Sequence, residues 1–140
     1  MQKIVFTIEG NQDEQKGNPI PYFRTTAGSQ WTDGAMRYNN WKGFVRRKFL
    51  DHIQENGDKT LYDTFNFSMF KKGNPIPAQK EKQMMSLKIV WANRAHGDCD
   101  NIFKGIADSL FVNDKYLASG GFDYEYSKDG KGSVEITLMI

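Results

Sequence analysis

The chain predicts an α+β fold, a mixed β-sheet of about four to five strands with two main α-helices packed against it. Three observations carry this. Short stretches near both ends alternate apolar and polar residues at a period of two, two longer stretches repeat at a helical period, and Gly, Pro and Asn clusters separate them. The 140 residues suffice for one core and are too few for two comfortable ones, so a single domain over 1–140 is expected.

The elements follow in order. In 3–9, Ile4, Phe6 and Ile8 alternate with Lys3, Val5 and Thr7, the pattern of a strand. Residues 10–34 have no clean period and read as a long loop carrying Pro19, Pro21, Arg24 and Trp31; ordered loops of this length usually serve function. In 35–56, Tyr38, Trp41, Val45, Phe49, His52 and Ile53 fall within about a third of a helical wheel, a core-facing stripe with His52 at its edge. Asn56-Gly57 is a good helix stop. Residues 61–70 and 83–92 alternate as two strands, joined by a polar turn at 71–82. That turn contains Gly73-Asn74-Pro75-Ile76-Pro77, which duplicates Gly17-Asn18-Pro19-Ile20-Pro21; with unlike flanks, both copies read as rigid turn chemistry rather than as a structural repeat. Residues 101–112 read as the second helix. Residues 121–127 and 133–140 alternate around Lys128-Asp129-Gly130-Lys131-Gly132, whose Asp-Gly predicts a hairpin.

Composition removes several classes. With 39% hydrophobic and 14% aromatic residues the chain is not a disordered one. No apolar run approaches the roughly 20 residues of a membrane span. The first nine residues alternate instead of forming a signal peptide, so a soluble, intracellular protein is expected, with no membrane partner and no organic cofactor. The single cysteine, Cys99, fits a reducing compartment. As a nucleophile it would need a base, and His96 is near in sequence; a small filler between two aspartates is the better reading. His52 and His96, the only histidines, do not have zinc spacing. The net charge of +2 does not by itself argue for nucleic acid, so local basic groups matter more: Lys42, Arg46, Arg47 and Lys48 on one helix, Lys71 and Lys72 at a turn, and Arg94.

The informative stretch is His96-Gly97-Asp98-Cys99-Asp100-Asn101-Ile102-Phe103-Lys104-Gly105-Ile106-Ala107-Asp108-Ser109-Leu110. On a wheel, Ile102, Phe103, Ile106, Ala107 and Leu110 form one face, and Asp100, Lys104 and Asp108 recur every four residues on the other. Asp98 and Asp100 lie where the chain enters this helix. Residues two apart in extended chain point the same way, so the two carboxylates can meet on one hard cation such as Mg²⁺, completed by water and substrate phosphate. Such a cation polarises a phosphodiester and activates water, and Lys104 would neutralise charge on the scissile phosphate. The plainer reading is an N-cap plus an i,i+4 ion pair. A cap explains one aspartate, not two with a third acid at Asp114, and spacing alone leaves both readings open. Arg24, Lys42, Arg46, Lys71 and Arg94 are the candidate phosphate contacts, Lys42 and Arg46 being equally readable as solvated surface.

The run Asp98-Cys99-Asp100-Asn101, then Lys104, Asp108, Leu110 and Asn113-Asp114, resembles the Asp-x-Asp-Asn…Lys…Asp-x-Leu…Asp-Asp signature of RusA-type Holliday junction resolvases, found largely in bacteria and their phages. Gly17 to Pro21 with Arg24, followed by a helix, is similar to the Gly/Pro/Arg-rich loop after the first strand in that family. The likeness covers most of the chain in element order and is specific in 97–114. It implies a homodimeric endodeoxyribonuclease of DNA recombination and repair. Such an enzyme nicks four-way junctions symmetrically with Mg²⁺ or Mn²⁺, in the cytoplasm of a bacterial or phage-infected cell. The resemblance carries the metal-binding acids to Asp98, Asp100 and Asp114 and the essential lysine to Lys104. Three departures bear on cutting preference: Asn113 stands where a second acid is usual, the connection from helix to Asp114 is short, and the stretch 61–92 is long. Rival readings are a branched-DNA-binding protein of the same fold that does not cut, and a phosphate-binding or interaction module whose acids only cap a helix. Trp31, Phe70 and Tyr116 are candidate aromatic wedges for an unpaired base.

Spacing adds a geometric expectation. Asp100 and Asp114 are fourteen residues apart, mostly through helix, which separates their backbones by roughly 17–20 Å. Either the chain turns back sharply after Leu110, or Asp114 completes a site begun by another subunit. Two such helices packed antiparallel about a two-fold axis would do the latter and give two symmetric sites.

Overall fold

A computed structural model describes residues 2–12, 16–56, 63, 73–78 and 80–140. Its elements are β1 (Lys3–Glu9), α1 (Asp33–Glu55), β2 (Gln83–Trp91), α2 (Cys99–Leu110), β3 (Leu117–Tyr126) and β4 (Ser133–Met139). The four strands form one mixed sheet in the order β1-β4-β2-β3, and the two helices join its core in an α+β domain. Ile4, Phe6 and Ile8 of β1, Met85, Leu87, Ile89 and Trp91 of β2, and Val134, Ile136 and Leu138 of β4 are the buried side chains of the helix-bearing face. Their alternation with exposed Lys3, Val5, Lys88 and Glu135 is the period of two seen in the sequence. Among the described residues no helix is long and apolar enough to cross a membrane.

Helix α1 begins two residues before the predicted start because Thr32 is its N-cap, its hydroxyl accepting the Ala35 N–H at 3.3 Å. It ends at Asn56, whose backbone and side-chain N–H groups return to the His52 carbonyl. His52 packs at the stripe's edge, stacked on Phe6 at 5.7 Å. Helix α2 puts Ile102, Ile106, Ala107 and Leu110 into the core. At Gly105 a side chain would stand 3.3 Å from the Tyr38 ring and 3.4 Å from the Tyr22 nitrogen, so glycine lets α1 and the 20–22 segment close on α2.

The predicted hairpin of 121–127 with 133–140 is not formed. Strand β2 lies between the two: β3 pairs parallel with it, Leu87 opposite Phe122, and β4 antiparallel, Leu87 opposite Ile136. The physical reason is that β2, α2 and β3 form a crossover unit, which seats β3 parallel to β2 at the sheet edge. The 127–132 connection then spans two strand spacings, about 9–10 Å, which six residues reach with ease. Its Gly130, at φ 76°, does reverse the chain, but not onto an adjacent strand. Strand β3 also starts earlier than predicted, at Leu117. The register shifts between Met85 and Ser86, where Gly121 sits at φ 117° and a Cβ at Gly120 would lie 2.0 Å from the Ser86 hydroxyl. Of the predicted strand at 61–70 all but Asp63, and so Phe70, lie outside the described residues, as do Lys71, Lys72 and Gln79 of the turn after it.

Candidate functional site

The duplicated five-residue motif braces the segment that leads into α2 and the C-terminal end of α2 itself. At the N-terminal end, the Asn18 amide donates to the Asn93 side chain and the Ala95 carbonyl, each at 2.9 Å, and its oxygen accepts the Ala92 N–H at 2.7 Å. Pro21 lies against Gly97, and the Tyr22 N–H donates to the Asn101 carbonyl at 3.0 Å. At the C-terminal end, the Asn74 amide donates to the Asp108 and Phe111 carbonyls at 2.8 and 2.6 Å. The Ile76 N–H donates to the Leu110 carbonyl at 2.8 Å. The last carbonyls of a helix have no partner within it, and Asn74 and Ile76 supply one. Ile20 and Ile76 are both buried anchors. The two copies thus hold different segments, the first the 92–95 stretch that leads into α2 and the second the C-terminal carbonyls of α2, roles that the reading as turn chemistry missed.

Asp98 is the N-cap of α2, in extended backbone, yet its side chain makes no cap hydrogen bond. Asp100, in the first turn, accepts among the described residues only the adjoining Asn101 N–H, at 3.0 Å. Both are exposed. The ion pairs among the described residues are Lys42–Asp108, Lys48–Glu9 and Lys88–Glu125, so Asp100 and Lys104 do not form the i,i+4 pair. Lys104 instead lies over the Tyr22 ring, 4.2 Å from its centre, a cation–π contact supplied by the residue after the first copy. Cys99 is half-buried between the acids. Burial pushes its thiol pKa up, and the negative charges of Asp100, Asp98 and Asp123 add to this. A thiol so placed is held in its protonated, poorly nucleophilic form. Asp123, on β3, is an acid near this site that the sequence reading did not single out.

Asp108 faces α1. It accepts the Tyr38 hydroxyl at 2.7 Å and the Lys42 ammonium at 3.5 Å. Burial first, and then the bond to Asp108, drives the Tyr38 pKa far up, so this hydroxyl stays a donor. Arg46 donates through Nε to the Ser109 carbonyl at 2.9 Å and through Nε and one Nη to the Asn74 oxygen, at 3.0 and 2.7 Å. Lys42 and Arg46 therefore tie α1 to α2. Arg24 and Arg94 are exposed, Arg94 lying over the Tyr126 ring at 4.5 Å. Trp31 is 80% exposed and Tyr116 39%.

Asp114 is exposed and does not join the other acids. Asp98 follows the end of β2 at Trp91, whereas the Asp114 segment leads into β3 beside the start of β2, with the Tyr116 carbonyl accepting the Gln83 N–H. The twelve residues of α2, about 18 Å of helix, stand between them. The chain does not turn back after Leu110: Phe111 is extended and bridges to Ile76. Among the described residues no group of three or more His, Cys, Asp or Glu side chains is assembled that would hold a metal ion. Among the described residues the carboxylates at the start of α2 are those of Asp98 and Asp100. Two carboxylates suit a hard cation that keeps most of its shell as water and phosphate, and do not amount to an all-protein cage. No protein-family model and no curated protein matches this chain.

Proposed function

We propose that the chain is a metal-dependent endodeoxyribonuclease of the RusA type, which resolves four-way DNA junctions by paired symmetric nicks in recombination and repair. One observation carries the reading: Asp98 occupies an N-cap position without capping. A capping side chain stabilises a helix by about 1 kcal/mol, and here that contact is forgone while the carboxylate stays in solvent. Asp100 and Lys104, free of the ion pair that would explain them structurally, lie within the next turn and a half.

In this reading Asp98 and Asp100 hold Mg²⁺ or Mn²⁺. The bound cation supplies polarisation of the phosphodiester and a water of lowered pKa. Lys104, held over the Tyr22 ring rather than paired with a carboxylate, would neutralise charge on the phosphate in the transition state. Asp114 serves the site of a second subunit, with two copies of α2 antiparallel about a two-fold axis, so that two sites face a two-fold-symmetric junction. Arg24 and Arg94 meet DNA phosphates, whereas Lys42 and Arg46 act by holding α1 on α2. The expected setting is the cytoplasm of a bacterial or phage-infected cell. The test is incubation with a synthetic four-way junction, with and without Mg²⁺ or Mn²⁺. Paired nicks that need the metal and vanish in Asp98→Asn support the proposal. Tight binding with an intact junction under both metals makes the chain a branched-DNA-binding protein.

A further inference from the structure

Among the described residues the sheet has two edge strands, β1 and β3, and they are finished differently. On β1 the core-facing side chains Ile4, Phe6 and Ile8 are all buried, with Phe49 and His52 of α1 against Phe6. On β3 the corresponding side chains are Phe122, Tyr124 and Tyr126. They lie opposite Leu87, Ile89 and Trp91 and so share the helix-bearing face. Yet they are 42%, 54% and 38% exposed. Phe103 of α2 meets Phe122 edge-on at 5.3 Å, and Tyr126 meets His96 and Arg94 of the segment before α2. The helix layer thus ends before this row of rings is covered, and every residue from 119 to 126 is exposed.

An edge strand presents a line of backbone N–H and C=O groups that another strand can satisfy. The closed contact between like chains is two-fold, and there a strand meets its own copy antiparallel. The side chains of β3 then decide the register. An axis at Asp123 sets that carboxylate against the partner's Asp123, and one at Tyr124 sets it against the partner's Glu125. Like charges directly opposite destabilise a strand pair. An axis at Phe122 does neither. Gly120 is the extra residue of the bulge, since Ser119 lies opposite Met85 and Gly121 opposite Ser86. Counting past it, Asp123 falls opposite the partner's Gly121 and Glu125 opposite the partner's Ala118. Tyr124 falls opposite the partner's Ser119 and Tyr126 opposite the partner's Leu117. Faces match throughout, because Leu117 and Ser119 lie beside Gln83 and Met85, which are buried on the helix-bearing side. Moving the axis to Gly121 would leave Glu125 and Tyr126 unpaired.

We propose that β3 pairs antiparallel with the β3 of a second copy about a two-fold axis at Phe122, and that this contact brings the partner's Asp114 to Asp98 and Asp100. The Leu117 N–H donates to the Asp114 carbonyl at 3.0 Å, so Asp114 stands one turn before Leu117. In the dimer the partner's Leu117 lies beside Tyr126, about 4.8 Å away across the new strand pair. The Tyr126 hydroxyl meets His96 at 2.8 Å, two residues before Asp98. The end of α2 that lacks its own Asp114 thereby receives the partner's. The crossover sets each α2 against its own β3, so the two copies of α2 run antiparallel on one face of a continuous sheet. Pairing through β1 would do none of this, since its core-facing side chains are already covered. The inference rests on the reading of Asp98, Asp100 and Asp114 as one site and names the surface that assembles it.

The experiment uses the full chain without metal or DNA. Light scattering should read a dimer. Phe122→Lys should weaken it about thirtyfold or more, as loss of a central aromatic anchor does, and Phe122→Leu should largely keep it. Cys99 is the only cysteine, so Cys99→Ser gives a clean background. In it Phe122→Cys should oxidise to a covalent dimer, because the two Cβ atoms are direct cross-strand neighbours, while Val5→Cys on β1 should not. A monomer throughout the micromolar range overturns the proposal. So does a dimer that Phe122→Lys leaves intact, or one in which Phe122→Cys fails to cross-link. A monomer whose junction binding is lost in Phe122→Lys also overturns it and marks the edge as a DNA surface. A chain that dimerises in this way and never nicks a junction loses the nuclease reading alone. One that nicks but dimerises through another face loses this surface alone.

Discussion

Replacing Asn74 with alanine should unfold the domain's α2 support from its C-terminal end. The side chain donates to two helix-end carbonyls, at 2.8 and 2.6 Å, and accepts from the Arg46 guanidinium. A net hydrogen bond is worth about 0.5–1.5 kcal/mol, and one to a charged group about 1.5–3. Arg46 is partly buried, and burial already lowers its pKa, so an unmet guanidinium there carries a desolvation cost. Arg46 retains the Ser109 carbonyl, and water reaches part of the site, which trims the sum to about 2–3 kcal/mol. With a urea m-value of about 1–3 kcal/mol per molar, the midpoint should fall by roughly 1–2 M at unchanged m. Asn74→Asp keeps the acceptor for Arg46 but loses both donors, so it should also destabilise. Asn18→Ala, in the other copy, should cost a comparable amount. An Asn74→Ala midpoint within about 0.5 kcal/mol of the wild-type stability, the range of ordinary surface changes, would refute the brace.

Two further outcomes are expected. Thr32→Ala removes a real cap and should cost about 1 kcal/mol in urea melts, while Asp98→Ala removes a side chain that caps nothing and should leave stability within about 0.5 kcal/mol yet abolish junction nicking. Cys99, its thiol pKa raised by burial and then by neighbouring acids, holds less thiolate at any given pH than a free cysteine. Its reaction with a disulfide reagent near neutral pH should be slower than that of glutathione, should gain speed only at higher pH, and should rise in Asp100→Asn, from which one negative charge is gone; a rate equal to the free thiol would contradict this.

Local period carried most of the fold. Strands β1, β2 and β4 were legible because one face of each enters the core, and α1 and α2 because their apolar stripes do. Strand adjacency was not legible. Asp129-Gly130 specifies that the chain reverses, and only the parallel docking of β3 on β2 decides that it reverses across an intervening strand. The flank positions of Lys42 and Arg46 offered phosphate contact or solvent, and the tertiary partners Asp108, Asn74 and the Ser109 carbonyl supplied a third role that no wheel reveals. For the site, the remoteness of Asp114 could be read from helix length, whereas the expectation that Asp98 and Asp100 point the same way assumed extended chain, and Asp100 lies in the first turn of α2 with Asp98 as its N-cap. Asp123 could not be read, because it joins the neighbourhood of Cys99 from another strand. Nor did spacing distinguish a capping aspartate from a free one; that required seeing that Asp98 makes no cap bond.

The most direct measurement of the central claim is nicking of a four-way junction in Mg²⁺ by a mixture of Asp100→Asn and Asp114→Asn chains. Each variant alone should be inactive. If Asp98 and Asp100 of one subunit work with Asp114 of the other, the mixed dimer has one intact site and one doubly damaged site. The mixture should then nick, and in one strand per junction rather than two. A mixture as dead as its parents, from chains shown to exchange, would contradict the shared metal site.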